Sequence, residues 1–372
     1  MTRYRFELAD SGDDAALRHL MARTPMDGTV ALTFQREPSY FDSNCVLGRN
    51  HQTIVCRDME QNEIVGLGTR SVRDMYAGGQ VQKVGYLSGL RSAESARNRG
   101  LLARGYRFLR ELHDADPDAP EYYLTTIAED NAVAIDTLTS GRAGLPTYHQ
   151  LSRLHTLVLP IRRTPVCSKL ASLANCQVTK AEDVAAVIDF LNGSGATQTF
   201  FPRYRGIDFE QPNGTFRGLN ISSIAVAARN GKIIATAGVW DQQQFRQTII
   251  SDYKPPVKQL RPLWNAWSSL TGGIQLPAIG RPLNAAFVCF PVVSVSEQAV
   301  FEMLLHHLMR IAPADAHCLL LGFCDGHPLL PFARSLSRVR YSTRLYAVNW
   351  SAIPSSVVGP GAKPYYLELG CL

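Results

Sequence analysis

The pattern of predicted strands and helices runs through this chain twice. In the first half, hydrophobic periodicity and turn residues give a strand, a helix, antiparallel strands, and then a helix, a strand, a helix and a strand. The strands are predicted at 4–8, 52–57, 64–75, 81–90, 122–127 and 148–159, and the helices at about 14–23, 100–113 and 131–140. This order indicates an α/β fold of the mixed-sheet (α+β) kind, with helices flanking one central sheet.

The second half repeats this order behind a linker at 160–165 that prolines bracket. Its strands are predicted at 176–178, 223–228, 233–252, 284–293, 318–323 and 341–350, and its helices at 181–191, 264–270, 296–311 and 331–337. The remaining residues are rich in Pro and Gly, and 365–369 can add an edge strand. We therefore predict two tandem domains at 1–160 and 161–352, each with a central mixed sheet, and a C-terminal tail at 353–372.

The composition is that of a globular protein with two hydrophobic cores. The 372 residues exceed one ordinary domain, and 45% of them are apolar. The net charge of +6 favours anionic ligands, but the sequence has no aromatic–basic motif for nucleic acid. The 8 cysteines form no C-x-x-C pair, the chain starts without an apolar signal region, and no stretch is apolar enough to span a membrane. We expect a cytoplasmic protein with free thiols, and no metal, nucleic-acid or membrane partner.

The segment from Leu90 to Ala103 carries the clearest chemical signal. A predicted strand ends near Ser92, a short loop follows, and a helix opens at Gly100. Unpaired N–H groups and the positive end of a helix meet at such a junction, which suits a phosphate or pyrophosphate. Arg97 and Arg99 add charged donors, although a plain turn with solvated arginines explains the same spacing. The segment matches neither a Walker loop nor a dinucleotide-binding fingerprint.

The same segment resembles a motif of the GNAT N-acetyltransferase family. That family carries [RQ]-x-x-G-x-[GA] between its fourth strand and third helix, five residues after a strand that ends L-R-V. This chain has Leu90-Arg91-Ser92 and then Arg97-x-x-Gly100-x-Leu102, so that only Leu102 departs from the helix-start pattern. The order of elements over 4–159 and the Asn131-x-x-Ala134 step are also similar to the family.

The resemblance implies a site for acetyl-CoA in the first half. The main chain of Leu90–Ser92 would pair with the pantetheine arm, and the amides from Asn98 to Ala103 would hold the pyrophosphate. Asn131 would lie beside the pantetheine or the leaving thiol. The full set of expected contacts is Leu90, Arg91, Ser92, Arg97, Asn98, Arg99, Gly100, Leu101, Leu102, Ala103 and Asn131. In this family the acyl group passes directly from the thioester to an amine.

The catalytic groups usual in the family are not at their usual positions. Its strand carboxylate is replaced by Tyr86, and its tyrosine acid by Leu138. The nearest substitute for the acid is Tyr148, which an ordinary half-buried strand aromatic also explains. Glu94 and Glu129 are candidate bases acting through water, although a solvated loop carboxylate is the simpler interpretation of each.

The second half lacks the phosphate loop. Its matching strand runs directly into Ser294-Val295-Ser296-Glu297, which predicts a helix capping box and leaves no space for the loop. We expect a degenerate copy that does not bind CoA. Residues 239–242 and 246–247 could line a substrate cleft, although interface packing is the simpler interpretation. A Cys324–His327 nucleophile is a weaker alternative to a turn after a buried strand.

Two functions follow from these observations. The first is an N-acetyltransferase that moves an acetyl group from acetyl-CoA to a primary amine in a ternary complex. The second is a non-catalytic acetyl-CoA-binding regulatory or scaffold protein, which the displaced acid and base favour. A nucleic-acid-associated protein is a third alternative that only the basic charge supports. The acceptor amine and the oligomeric state are open at this point.

Overall fold

A single large mixed sheet runs through both halves of the protein. The computed structural model describes residues 3–48, 50–97, 99–164, 170, 175–271, 273–294, 297–337, 339–351, 353–354, 357 and 363–372. The strands are β1 (Tyr4–Leu8), β2 (Val30–Gln35), β3 (Asn50–Asp58), β4 (Glu63–Ala77), β5 (Gln80–Ser92), β6 (Tyr123–Ala128), β7 (Thr147–Pro160), β8 (Gln177–Lys180), β9 (Phe201–Pro202), β10 (Ile224–Arg229), β11 (Lys232–Trp240), β12 (Gln247–Tyr253), β13 (Ala285–Val293), β14 (Cys318–Cys324) and β15 (Val339–Asn349). The helices are α1 (Asp14–Arg23), α2 (Leu101–Asp114), α3 (Ala132–Leu138), α4 (Val184–Gly195), α5 (Val257–Thr271), α6 (Gln298–Ile311) and α7 (Leu330–Leu336). The predicted class, a mixed sheet flanked by helices, is confirmed.

The strand order shows how the two halves join. The main sheet runs β1-β3-β4-β5-β6-β15-β7-β14-β13-β11-β10-β8, and β9 adds to β4. Each half contains one parallel neighbour pair, β5 with β6 and β13 with β14, among antiparallel pairs. This arrangement repeats the same order of strands outward from the middle of the sheet, as the doubled sequence pattern predicted.

The two halves exchange their last strands at the middle of the sheet. β15 comes from the second half and lies between β6 and β7 of the first half. β7 comes from the first half and lies between β15 and β14. The predicted boundary at 160 coincides with the end of β7, but the hydrogen-bonded sheet continues across it. The division into domains at 1–160 and 161–352 therefore stays a prediction from the sequence, because one hydrogen-bonded sheet spans both halves.

Local sequence explains the hairpins of the sheet. Gly78 and Gly79 have φ of 61° and 83° and join β4 to β5, and Asn230 and Gly231 have φ of 52° and 74° and join β10 to β11. Two-residue hairpins need positive φ at these positions, which glycine and asparagine adopt most readily. α6 packs its Phe301, Leu304, Leu305 and Leu308 against the second half of the sheet, and these side chains are almost fully buried.

Two local predictions were wrong. The segment 233–252 is not one strand, because β12 leaves the main sheet and pairs with β2, a strand that was not predicted. Ser294 and Glu297 form no capping box, since the Ser294 hydroxyl donates to the Ile234 carbonyl and Glu297 pairs with Arg229 at 2.6 Å. Val295 and Ser296 lie outside the described residues. Residues of the predicted C-terminal tail pack into the core, since Leu367, Glu368 and Cys371 are at most 5% exposed.

Within the described ranges, no helix has both the length and the apolar character needed to cross a membrane. The seven described cysteines are free thiols, and five of them are buried.

Candidate functional site

The first element of the site is an opening between β5 and β6. In the described part of the chain, these parallel strands pair only at Gly85 with Tyr123 and at Tyr86 with Leu124. The Thr125 hydroxyl then donates to the Leu87 carbonyl at 2.8 Å, and beyond this point the pairing of β5 is with β4. A register shift against β4 and a φ of 67° at Gly89 mark a bulge that redirects the strand. The bulge leaves the β6 side of residues 88–92 open.

The second element is the start of α2, directly after this opening. Gly100 adopts the left-handed conformation, with φ of 65°, and α2 begins at Leu101 without a side-chain cap. The first N–H groups of a helix have no partner within the helix, so those of α2 are available to a ligand. A Cβ built on Gly100 would have no heavy atom within 4 Å, so the space above the loop is open. The predicted strand–loop–helix junction is confirmed.

The arginines around this loop have different neighbours. Arg97 is exposed at the end of the loop, and the Arg99 Nε donates to the Ser95 carbonyl at 3.0 Å. Arg104 is engaged with β1, since its guanidinium donates to the Tyr4 carbonyl at 2.6 Å. Asn98 lies outside the described residues. Arg97 and Arg99 are therefore exposed cations close to the start of α2, and their contact with a phosphate stays a prediction.

The remaining predicted contacts lie around the mouth of the opening. Leu90 is 47% exposed on the open part of β5, and the Ser92 hydroxyl donates to the Ala93 carbonyl at 3.3 Å. Leu102 and Ala103 belong to the first turn of α2. Asn131 caps α3, because its Oδ1 accepts from the Ala134 N–H at 3.0 Å. This cap fixes the asparagine where β6 turns into α3.

Tyr148 lies in the hydrophobic cluster beneath α2. Its hydroxyl is hydrogen-bonded to the Tyr106 hydroxyl, and burial strongly raises its pKa. Tyr148 pairs with Val348, and Val348 with Tyr123, so it lies three residues before Thr126 along the strand direction. At the usual rise of a strand, that separation is about 10 Å. A catalytic role for Tyr148 stays a prediction, and the structure offers its hydroxyl a structural partner.

Tyr86 is the polar side chain at the point where the strands part. Its hydroxyl is hydrogen-bonded to the Thr126 hydroxyl at 2.8 Å. Burial raises the pKa of Tyr86 to about 12, so the phenol stays protonated at neutral pH and can donate a hydrogen bond. The sequence analysis put Tyr86 at the position of the family's strand carboxylate. In the structure, this phenol lies where β5 and β6 separate.

A carboxylate reaches the same place from the far end of the chain. A cavity of about 20 Å³ has Tyr86, Glu368, Ser71 and Arg73 among its lining residues, and this volume holds about one water. Glu368 Oε2 accepts from the Phe290 N–H at 3.1 Å and from the hydroxyls of Tyr366 at 2.7 Å and Tyr204 at 3.3 Å.

Its environment gives Glu368 unusual acid–base properties. Burial raises the pKa of the Glu368 carboxyl to about 7, against the partial compensation of its hydrogen-bond donors. Its second oxygen, Oε1, is buried and has no hydrogen-bond partner in the described ranges. Residues 353–372 were predicted to be a tail, so sequence reasoning missed this group. The only sequence signal was a lone Glu between apolar residues close to the last position.

A larger pocket of about 270 Å³ adjoins this cavity through Arg73 and Pro202. Arg73 lies between the two spaces and donates to the carbonyls of Val46 and, at 2.9 Å, Leu47. The pocket wall combines Lys83, Arg203 and Arg205 with Asp74 and Asp208. Arg73 and Pro202 therefore form a shared wall between the polar outer pocket and the small cavity at Tyr86 and Glu368.

The corresponding position in the second half has a different character. β13 and β14 pair in parallel through three residues, from Ala285 with Cys318 to Phe287 with Leu320. The following helix α6 has Glu297 as its N-cap, and that carboxylate is paired with Arg229. A carboxylate at a helix N-terminus occupies the position where an anionic ligand would otherwise bind.

The Cys324–His327 alternative also fails, because burial raises the pKa of Cys324 to about 12 and lowers that of His327 to about 4.

Comparison with known proteins identifies the fold. No protein-family model and no curated protein sequence matches the chain. It superposes on the GCN5-related glucosamine N-acetyltransferase region of a fungal multi-domain β-N-acetylglucosaminidase with a TM-score of 0.57 and 13% identity, over 92% of this chain and 38% of that one. It superposes on Saccharomyces cerevisiae N-myristoyltransferase with bound myristoyl-CoA with a TM-score of 0.57 and 11% identity, over 95% and 80% of the two chains.

These similarities show that the chain has a GNAT-type fold. The yeast match covers 95% of this chain, so both halves of the chain take part in it. The predicted tandem arrangement of two GNAT-like halves is confirmed. The chain spans well under half of the fungal enzyme. At sequence identities of 13% and 11%, these similarities show the fold alone.

Proposed function

We propose that this protein is an acyl-CoA-dependent N-acyltransferase that moves the acetyl group of acetyl-CoA to a primary amine. The observation that carries the proposal is the opening between β5 and β6 directly beside the uncapped start of α2. An extended ligand arm fits the open edge of a strand, and a pyrophosphate fits the helix start. The yeast neighbour was solved with bound myristoyl-CoA, which supports an acyl-CoA in this fold.

The residues around the opening suit direct acyl transfer. In the proposed reaction the amine nitrogen bonds to the thioester carbon, the C–S bond breaks, and a proton moves from the amine to a base. Tyr86, which is protonated at neutral pH, would donate a hydrogen bond to the carbonyl or the leaving thiolate. Glu368 would take the amine proton through one water in the cavity that it shares with Tyr86.

The alternative is a protein that binds acetyl-CoA without catalysis. It is favoured by the lack of a carboxylate on β5 itself and by the engagement of Tyr148 with Tyr106. Thiol release from acetyl-CoA, measured against a broad panel of amines, separates the two functions. Acceleration by any amine supports the enzyme. Saturable acetyl-CoA binding, with no acceleration by any amine, supports the binding protein.

The cofactor site itself is tested with Gly100→Glu. The large acidic side chain would fill the open space and repel the phosphates, and should weaken acetyl-CoA binding by well over tenfold, since charged hydrogen bonds contribute about 1.5–3 kcal/mol each. Because Gly100 has a φ of 65°, any side chain there also costs roughly 1–2 kcal/mol of stability. Arg97→Ala should give a milder loss of affinity.

Gly231→Glu is the matched control for that strain. Gly231 has a φ of 74°, lies in the β10–β11 hairpin, and likewise has no heavy atom within 4 Å of a built Cβ. Thermal melts with and without acetyl-CoA should show similar destabilisation of both variants, with ligand stabilisation lost only in Gly100→Glu. If acetyl-CoA stabilises Gly100→Glu as strongly as wild type, the α2 loop is not the site.

A further inference from the structure

Two arginines face each other across the small β2–β12 sheet. The last cross-strand pair is Gln35 with Gln247, and the next residues outward are Arg36 and Arg246. The Gln247 side chain fixes this end, because it accepts from the Glu37 N–H at 2.9 Å and donates to the Glu37 carbonyl at 3.0 Å. Directly opposed like charges destabilise a strand pair. This junction therefore concentrates positive charge at one end of the β2–β12 sheet.

A series of contacts connects Arg36 to β5. Arg36 lies over the ring of Tyr40 at 4.7 Å, and the Tyr40 hydroxyl is hydrogen-bonded to the Thr69 hydroxyl at 3.3 Å. Thr69 pairs with Ser88 on β5, at the opening beside β6. Arg91 follows three residues later, beyond the bulge at Gly89. Arg91 lies on the same face of β5 as Tyr86 and Ser88, because their partners Leu67, Ser71 and Thr69 share one face of β4. The charge of Arg36 acts on both Arg91 and Arg246, which brings the three arginines together beside this face.

The three guanidinium groups are shielded from solvent to different degrees. Arg36 is 6% exposed, and burial lowers the pKa of both Arg91 and Arg246, with the neighbouring charge of Arg36 adding to the effect. The Arg91 Nε and the Ser88 hydroxyl are fully buried and have no hydrogen-bond partner among the residues that the structure describes. A buried donor without a partner is costly, so a ligand that accepts from it is expected.

The nearby carboxylates are already paired with other cations. Glu37 pairs with Arg18 at 2.6 Å, and Asp42 with Arg217 at 3.3 Å. Within the described ranges, no Asp or Glu side chain forms an ion pair with Arg36, Arg91 or Arg246.

Arg36 and Arg91 donate their described hydrogen bonds to neutral groups. Arg36 donates to Ser43 at 2.7 Å, and among the described residues Arg91 donates to the Leu90 carbonyl, at 2.9 Å. Arg246 donates to the carbonyl of Gly370 at 3.0 Å and to a main-chain oxygen of Leu372, the last residue of the sequence. Three clustered cations without a carboxylate side chain are an anion site in chemical terms.

We propose that Arg36, Arg91 and Arg246 bind an acidic group, a carboxylate or a phosphate, on the amine that accepts the acyl group. This inference rests on the proposed acyltransferase function and names the class of its acceptor. The cluster lies on the same face of β5 as Tyr86, so an acceptor anchored there by its acidic end can present its amine to the thioester. Planar guanidinium groups match the oxygens of either anion.

The test compares acceptors that differ only in their acidic group. Thiol release is measured with 4-aminobutyrate against 4-aminobutyramide, and with glucosamine 6-phosphate against glucosamine, so that the pairs separate carboxylate from phosphate. The acidic member of at least one pair should have a kcat/KM about ten- to a hundredfold higher, as expected for a charged hydrogen-bonded contact. Arg91→Met should abolish most of this preference through the KM of the acidic acceptor.

Arg91 suits this substitution because its only described hydrogen bond is to its own neighbour, Leu90. Arg110→Met is the matched control, since Arg110 lies 58% exposed on α2. The control should retain the preference for the acidic acceptor. Arg91→Lys should restore part of it, because the charge returns without the planar fork. The KM for acetyl-CoA and the rate with the neutral amines should match wild type in Arg110→Met.

The outcomes distinguish this inference from the proposed function. Neutral and acidic amines reacting equally well in wild type would overturn the anion site and leave the acyltransferase intact. An Arg91→Met variant with a raised KM for acetyl-CoA and an unchanged acceptor preference would also overturn it, since Arg91 would then serve the cofactor. If no amine reacts, calorimetric binding of inorganic phosphate and of 4-aminobutyrate decides. Binding of either that Arg91→Met removes supports the anion site, and binding of neither overturns it.

Discussion

Replacing Glu368 by Gln tests whether a carboxyl group at the site titrates near neutral pH. Glu368 is 3% exposed, and burial raises its pKa from 4.5 to about 7. Glutamine keeps the shape and an acceptor oxygen for Tyr204, Tyr366 and the Phe290 N–H, but it carries no charge at any pH. The substitution therefore isolates the effect of ionising this one group.

The sign and size of the effect follow from the raised pKa. Below pH 4.5 the carboxyl is protonated in both the folded and the unfolded chain, and its ionisation costs the fold nothing. Between pH 4.5 and about 7 the unfolded chain releases the proton while the folded chain retains it, so the folded state loses stability as the pH rises. This difference in the pKa of Glu368 between the folded and the unfolded chain corresponds to about 3 kcal/mol of stability. The loss of stability is constant above pH 7.

Urea unfolding at pH 5, 6, 7 and 8 measures this difference. The free energy of unfolding of Glu368→Gln, relative to wild type, should rise with pH by up to about 3 kcal/mol and then level off. Glu297→Gln is the control, because Arg229 lowers the pKa of Glu297 and its contribution is lost only as the pH falls below 4.5. The free energy of unfolding of Glu297→Gln should therefore change with pH in parallel with that of wild type from pH 5 to 8.

The same pair of proteins tests the catalytic role. If Glu368 is the base, kcat/KM of wild type should rise with pH to a plateau above about 7, and Glu368→Gln should lose that limb together with most of its rate. Acetyl-CoA binding should not change. Parallel unfolding curves for wild type and Glu368→Gln would refute the reasoning, because the carboxyl would then have an ordinary pKa. A variant with the stability effect and full activity would make the buried carboxyl structural.

Two further predictions concern the second half and Tyr148. Isothermal titration should find one acetyl-CoA site per chain, because Glu297 lies at the helix start that would hold a second pyrophosphate, and two equivalent sites would contradict this. Tyr148→Phe should cost about 1–2 kcal/mol of stability by leaving the buried Tyr106 hydroxyl without its partner, and should change kcat by only a small factor. A hundredfold loss of kcat with intact acetyl-CoA binding would instead support Tyr148 as the acid.

The sequence predicted the parts of the site that depend on neighbouring residues. The end of β5 at Ser92 and the start of α2 at Leu101 follow from local periodicity and from Gly100, and both are confirmed. The interpretation of the loop as a GNAT motif agrees with the observed fold. A strand end, a glycine and a helix start within 14 residues are local features, which is why one sequence sufficed.

The sequence did not predict the parts that depend on distant pairing. Arg36 and Arg246 are more than 200 positions apart, and they meet only because β2 pairs with β12. Glu368 reaches Tyr86 only because the last described residues fold back into the core. Hydrophobic periodicity assigns strands but not their partners, since register and partner are set by packing across the whole sheet.

The second half of the chain, which we propose does not bind CoA, supplies structure on which the first half depends. It contributes β15, without which β6 would be an unpaired sheet edge at the cofactor opening. It also contributes Arg246 to the arginine cluster and Glu368 to the cavity beside Tyr86. The first half supplies the loop before α2 and sends β7 into the second half in exchange. In the proposed function, the two copies therefore share one site: the first holds the helix start that would bind the pyrophosphate, and the second adds residues to the walls around the acceptor.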